Sequence, residues 1–261
     1  MELAPPELLL LLPLAFAAGL IDSAVGGGGL IQIPGLFGIL PNTQPATLLG
    51  TNKVSSICGT TMAAAQYAKR VTLNWRMLMW AVAASFVFAY FGAKAVAFLP
   101  VQFLRPVMLV LLIATVIYTF FKKDLGQHDV ALNLSQKQEK NRGLTLGVGI
   151  GLYDGFFGPG TGSILALAFV KLFGHDFLNA TAHSKIINIA TNLGAIALFA
   201  PNGHIMWVTS LLMGMSNVLG ALTGTHVVTK YGVPFIRKVF IIMLSAAIIK
   251  FTYDTVALFA G

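Results

Sequence analysis

The chain has 261 residues, of which 56% are hydrophobic and only 10% charged, with a formal net charge of +8. A soluble domain carries about 25% charged residues, so the composition excludes a soluble globular protein and indicates a polytopic membrane protein. The basic excess is not a nucleic-acid signal, because most of it sits in short loops, where it reports orientation.

Apolar segments run near 8–40, 45–67, 72–96, 102–121, 143–173, 182–199, 204–229 and 234–258. Met1–Glu7 holds Glu2 and Glu7 but no Lys or Arg. It lacks the basic start of a signal peptide, so the first segment is expected to stay in the mature protein. That segment, residues 8–40, is too long for one crossing: a straight helix would reach roughly 50 Å against a hydrocarbon core of ~30 Å. A glycine cluster, Asp22-Ser-Ala-Val-Gly-Gly-Gly-Gly29, interrupts it. The fifth segment carries Asp154-Gly-Phe-Phe-Gly-Pro-Gly-Thr-Gly162 in the corresponding place. Gly and Pro weaken a helix, so each segment is expected to form two shorter helices joined by irregular backbone, which survives in a membrane only inside protein or beside water. Cys58 is the only cysteine, which rules out an intramolecular disulfide.

The two halves repeat. Residues 17–118 lie over 149–250 at a constant offset of 132 without a gap, and 23 of the 102 pairs are identical. Asp22 falls on Asp154, Gly26 and Gly28 on Gly158 and Gly160, Lys53 on Lys185, Trp75 on Trp207 and Arg105 on Arg237. Shared greasiness does not align such residues in one register; internal repeats of this kind mark transporters with a site between the halves. The expected division is an N-terminal membrane repeat at 1–121, a polar cytoplasmic linker at 122–142 and a C-terminal membrane repeat at 143–261.

Loop charge chooses the topology. With Lys53 and Lys185 set aside, re-entrant broken segments and an outside N-terminus put 12 Lys and Arg in the cytoplasm and 3 outside, whereas spanning segments split them 9 to 6. The positive-inside rule favours the first arrangement. Three full spans and one hairpin per half give an odd number of crossings, so the repeats are expected to be inverted, with both termini extracytoplasmic.

Charge inside the membrane marks the candidate site. Burying a Lys near the bilayer centre costs roughly 2.5–3.5 kcal/mol. Snorkelling from a helix end is the bland explanation for Lys53 and Lys185. Against it, Lys53, Ser56 and Thr60 share one helical face, and the repeat puts Lys185, Asn188 and Asn192 in the same places. A helix beginning after each glycine break would point unpaired N–H groups and its positive end inward, a setting for an anion near Gly28 and Gly160. Asp22 and Asp154, at the end of the preceding helix, either cap the following segment, pair with a lysine or carry a coupling proton. His183 is a further proton carrier. Trp75 and Trp207 read as interfacial anchors. No nucleotide fingerprint, zinc spacing or nucleophile elbow is present, so no cofactor, metal or catalytic residue is expected.

The passages AGLIDSAVGGGGLIQIPGL, LLGTNKVSS, GLYDGFFGPGTGS and NATAHSKIIN resemble the TauE/SafE sulfite exporter family, also called the 4-toluene sulfonate uptake permeases, and in particular its YfcA-like bacterial branch. The resemblance runs from about 14 to 255. It implies a multi-pass permease of the bacterial inner membrane for sulfite, sulfonates or related anions. Its motif positions here are Asp22, Gly26–Gly29, Pro34, Thr51, Asn52 and Lys53, then Asp154, Gly158–Gly160, Gly162, His183 and Lys185. The halves differ where His183-Ser184 replaces Thr51-Asn52, so an asymmetric site is expected.

The expectation is therefore an all-α secondary transporter for a small anion in a lipid bilayer, working by alternating access between the repeats. Lys53, Lys185, Gly28, Gly160, Thr51, Asn52, Ser184 and Asn188 would bind substrate; Asp22, Asp154 or His183 would couple a proton or ion. The alternatives are a cation- or proton-coupled carrier of another solute, a passive channel and, more distantly, an intramembrane enzyme. The sequence is compatible with a homo-oligomer.

Overall fold

A computed structural model describes residues 5–98 and 134–231, with isolated positions 110, 113 and 132. Apart from those isolated positions, the expected spans 102–121 and 234–258 lie outside the described residues. Eight helices and no strand occur among the described residues: α1 (Pro5–Val25), α2 (Gly29–Ile39), α3 (Pro45–Ala68), α4 (Trp75–Phe98), α5 (Gln136–Phe156), α6 (Thr161–Phe173), α7 (Phe177–Phe199) and α8 (Trp207–Tyr231). Stretches Pro6–Ala24, Trp75–Val96 and Trp207–Val228 are long and apolar enough to cross a membrane, while α2 and α6 are shorter apolar helices.

Local chemistry sets these limits and moves two of the expected ones. The fifth segment was expected to begin at 143, but α5 starts at Gln136, because Ser135 and Gln138 form a reciprocal capping box that satisfies two otherwise orphaned donors. The sixth was expected to begin at 182, but α7 starts at Phe177, where the Asp176 carboxylate accepts the Asn179 N–H at 2.7 Å. Lys185 consequently lies more than two turns inside its helix. Pro45 opens α3 at a position where its missing N–H costs nothing.

Both broken segments double back. Gly35 on α2 sits against the Leu14 side chain on α1, a neighbour it would not have if α2 continued α1's direction. In the second hairpin, Arg142 Nη1 on α5 donates to Leu172 O near the end of α6, and Tyr153 Oη closes the turn on Pro159 O at 2.5 Å. The turns depend on left-handed glycines: Gly26 has φ +75°, Gly158 +94° and Gly160 +80°, a region L side chains avoid.

The fourth helix from each half packs with the other half. α4 lies along α5, and α8 along α1. On α5, Gly143, Gly147, Gly151 and Gly155 form a stripe at four-residue spacing facing Met77, Ala81, Ser85 and Ala89. A Cβ at Gly151 would fall 2.7 Å from Ser85 O, so the contact exists only because the stripe lacks side chains. Gly220 and Gly224 on α8 meet Phe16, Leu20 and Ser23 on α1 in the same fashion, and Ser216 Oγ donates to Leu12 O at 2.7 Å. α3 and α7 pack on each other at the centre. Two packed groups result: α1, α2, α3 and α8, and α4, α5, α6 and α7.

Candidate functional site

The central helices α3 and α7 carry Lys53 and Lys185, and neither lysine snorkels. Their side chains are 3% and 1% exposed, so each ammonium needs a partner inside the protein. Each finds it in the opposite half. Lys53 Nζ lies 2.8 Å from Asp154 Oδ2 and donates to Asp154 O at 2.6 Å. Lys185 Nζ lies 2.8 Å from Asp22 Oδ2 and also donates to Asp22 O. An aspartate in the last turn of a helix opposes the macrodipole, and a cation there is favourable. One ammonium on both the carboxylate and the last-turn carbonyl resolves the conflict at each helix end.

The two aspartates differ in their other partners and in exposure. Asp154 Oδ1 accepts the Thr161 hydroxyl at 2.6 Å, from its own hairpin. Asp22 Oδ2 accepts the Thr60 hydroxyl at 3.2 Å, from α3. Asp154's side chain is 3% exposed and that of Asp22 17%. One pair is sealed, and the other reaches a wetter space.

Between the pairs lies a cavity of ≈ 20 Å³, room for about one water. Its wall holds the Lys53–Asp154 pair, Asp22 of the other pair, Asn52, Ser56, Thr60, Thr161, Asn188 and Asn192, and backbone from both glycine turns. Among the described residues no apolar side chain lines it. The turns also touch directly: Ser163 N–H donates to Gly26 O at 3.1 Å, and a Cβ on Gly162 would fall 2.6 Å from Gly26 Cα. Asn52 Oδ1 is buried with no hydrogen-bond partner, an unmet polar atom at the wall of the cavity. Asn188 Oδ1 accepts Asn192 Nδ2 at 2.9 Å.

Of the residues singled out by sequence, Lys53, Asn52, Asn188, Gly160, Asp22, Asp154 and, on the other side, Lys185 through its aspartate, come together. Five do not line the cavity, Lys185 among them, which meets it only through Asp22. Gly28 caps α2 and packs against Ala18 and Asp22 Cβ, while Gly26 and Gly29 face the space. Ser184 Oγ bonds back to Thr181 O at 2.7 Å. Thr51 Oγ1 accepts the Met206 N–H at 3.1 Å, and His183 Nε2 accepts the Asn74 N–H at 3.1 Å. These last two are matched contacts, since Thr51 with His183 and Asn74 with Met206 are both pairs at the 132-residue offset. Each supplies an acceptor to the residue that precedes the opposite half's fourth helix. His183 Nδ1 bonds Asn179 O at 2.7 Å, which leaves Nδ1 the protonated nitrogen of a neutral ring. Thr161, by contrast, was missed: nothing in the sequence announces that a hydroxyl seven residues after Asp154 folds back onto it. Trp75 and Trp207 open α4 and α8 and are 57% and 50% exposed, as anchors would be.

Similar proteins extend over almost the whole chain. A Haemophilus influenzae protein named "Probable membrane transporter protein" is 34% identical over 97% of this chain and 98% of its own length. The Sinorhizobium "Probable membrane transporter protein ORF9" is 36% identical over 97% of this chain and 95% of its own length. Escherichia coli K12 "Probable membrane transporter protein YfcA" is 34% identical over 92% and 88%. No solved structure matches. The profile of the family described as "Sulfite exporter TauE/SafE" matches residues 11–251, and the chain belongs to that family.

Proposed function

We propose that the chain is a secondary membrane transporter for a small anion, a sulfur oxyanion or organosulfonate, of the bacterial inner membrane. The observation that carries the reading is the pair of buried lysines, each balanced by an aspartate from the opposite half beside a cavity lined by polar side chains and glycine backbone. The sulfur chemistry rests on the family alone, and the transporter class also on the relatives' names. In this reading the chain comprises two inverted repeats whose hairpins are re-entrant, and its termini are extracytoplasmic.

An anion entering the cavity competes with Asp22 and Asp154 for Lys185 and Lys53. A carboxylate that loses its ammonium becomes a buried unpaired charge and takes up a proton. Anion binding and proton uptake are then linked through the same two pairs, with Asp22 and Asp154 as carriers. His183 is set aside from this role by its bonds to Asn74 and Asn179. Asn52, Ser56, Asn188 and the backbone at Gly29 and Gly160 would hold the anion's oxygens. The cavity is too small for a sulfonate, so this conformation is occluded. Opening it requires the two packed groups, α1–α2–α3–α8 and α4–α5–α6–α7, to part along the α3–α7 contact. Each ion pair bridges those groups. The moving bodies are therefore not the sequence halves themselves, because α4 and α8 are exchanged.

Proteoliposome flux over a panel of sulfite, sulfate, thiosulfate and alkyl sulfonates tests the proposal. Uptake of at least one of these is expected, abolished in Lys53→Met and reduced in Lys53→Arg. Flux that follows a cation, survives Lys53→Met and fails in Asp22→Asn would replace this reading with a cation carrier.

A further inference from the structure

A second polar cavity, ≈ 200 Å³, lies at the far ends of α3 and α8, lined by Gln66, Tyr67, Arg70, Leu222, Thr225 and His226. It is separate from the central cavity, of ≈ 20 Å³, and none of its residues figures in the central site. We propose that it is an anion-receiving vestibule, which admits a small oxyanion or sulfonate toward the Lys185–Asp22 pair past Tyr67. The anion's destination rests on the transport reading above; the vestibule's own preference for anions does not.

Three independent features support the assignment. The first is continuity. Lys53, Ser56, Thr60 and Tyr67 lie on one face of α3 at i, i+3, i+7 and i+14. Lys53, Ser56 and Thr60 line the central cavity and Tyr67 lines the vestibule, about 10 Å further along the helix. Tyr67 is buried, and its hydroxyl donates to Ser23 O at 2.8 Å. The acceptor belongs to the residue next to Asp22, in the last turn of α1, where carbonyls lack helical partners. The phenol therefore stands between the vestibule and the more exposed of the two aspartates.

The second is chemistry. Arg70 supplies a permanent, forked donor set suited to oxyanions, with the Gln66 amide and His226 beside it. Among the described residues no acidic side chain lines the vestibule. Its volume suits an anion of a few heavy atoms rather than a drug-sized ligand, for which pockets start near ~300 Å³. The third is asymmetry. At the 132-residue offset, Gln66, Tyr67 and Arg70 correspond to Leu198, Phe199 and Asn202, and Thr225 to Ala93, while Leu222 and His226 correspond to Tyr90 and Lys94. The repeat thus puts an apolar ring in place of the phenol and an uncharged amide in place of the guanidinium. The Tyr67 and Arg70 positions are therefore not duplicated in kind by the repeat.

Charge-selective thiol labelling tests the vestibule without needing the substrate. The variant is Gln66→Cys in a Cys58→Ala background, which removes the sole native cysteine. Purified protein is reacted with 2-sulfonatoethyl methanethiosulfonate and, separately, with its trimethylammonioethyl counterpart. With each rate divided by that reagent's rate with free 2-mercaptoethanol, the sulfonate reagent is expected to label about 5–10-fold faster than the cation, as for a cleft with one sign of charge. Adding Arg70→Gln should bring the ratio close to 1, and adding Lys185→Met should leave it unchanged. Failure to label, equal rates, or a preference that Arg70→Gln does not alter would overturn the vestibule. If the labelling preference holds while Lys185→Met leaves anion flux intact, the transport reading fails and the vestibule stands.

Discussion

Two ion pairs of the same design sit in different surroundings. At Lys53–Asp154 both side chains are 3% exposed, and the carboxylate is held by Thr161 at 2.6 Å from its own hairpin. At Lys185–Asp22 the carboxylate is 17% exposed, and Thr60 reaches it from another helix at 3.2 Å. Beyond the first pair the repeat has Phe199; beyond the second it has Tyr67 and a polar vestibule. A buried pair with a short hydroxyl bond to its carboxylate resists exchange, whereas one with a longer hydroxyl contact and a partly exposed carboxylate gives way first. In the proposed transport reading the first pair is the fixed support and the second the point where an anion begins to displace a carboxylate.

The sharpest way to break this comparison is to remove each ammonium. Lys53→Met leaves the sealed Asp154 without its cation, and should cost about 3–5 kcal/mol of stability, the usual price of breaking a buried ion pair. Lys185→Met should cost less, since Asp22 retains some water. Thermal unfolding of the two variants in detergent checks the order, and equal losses would erase the distinction. Next in size, adding Asp154→Leu to Lys53→Met removes the orphan as well, and should restore stability through a coupling of about 1–3 kcal/mol. The double variant should still not transport.

The hydroxyls give a smaller effect. Thr161→Val removes a short bond to a buried carboxylate and should cost about 1.5–3 kcal/mol, more than Thr60→Val. The same melts read it, and a larger loss from Thr60→Val would reverse the assignment of the firm and yielding pairs. Smallest of all, Thr51→Val and His183→Ala each remove an acceptor for one backbone N–H, at about 1–3 kcal/mol. Both should leave the anion concentration for half-maximal flux unchanged. A shift confined to His183→Ala, together with a changed pH profile, would restore that histidine to the coupling step.

How much of this was legible in the sequence differs from residue to residue. Lys53, Ser56 and Thr60 announced a face by spacing alone, and that face does line the cavity with Asn188 and Asn192 from the matching stripe. Helical periodicity fixes which residues share a face. It does not fix what lies opposite, so the pairing of Lys53 with Asp154, 101 residues away, and of Lys185 with Asp22 stayed open. The contrast between Thr51 and His183 looked like a difference in function. In the fold both accept one backbone N–H at the start of the opposite half's fourth helix, because imidazole and hydroxyl are equally serviceable acceptors.

By itself the sequence determined the membrane class, the offset of 132, the glycine breaks and the four charges that chemistry forbids from facing lipid. Those follow from composition and local backbone preference, which act over a few residues. Loop charge already favoured hairpins that double back; only the tertiary structure decided that α4 and α8 change partners and that each lysine reaches across to the other half's aspartate. These depend on close approach between distant segments, permitted by glycine stripes such as Gly143–Gly147–Gly151–Gly155, and on the need of every buried charge for a neighbour of opposite sign.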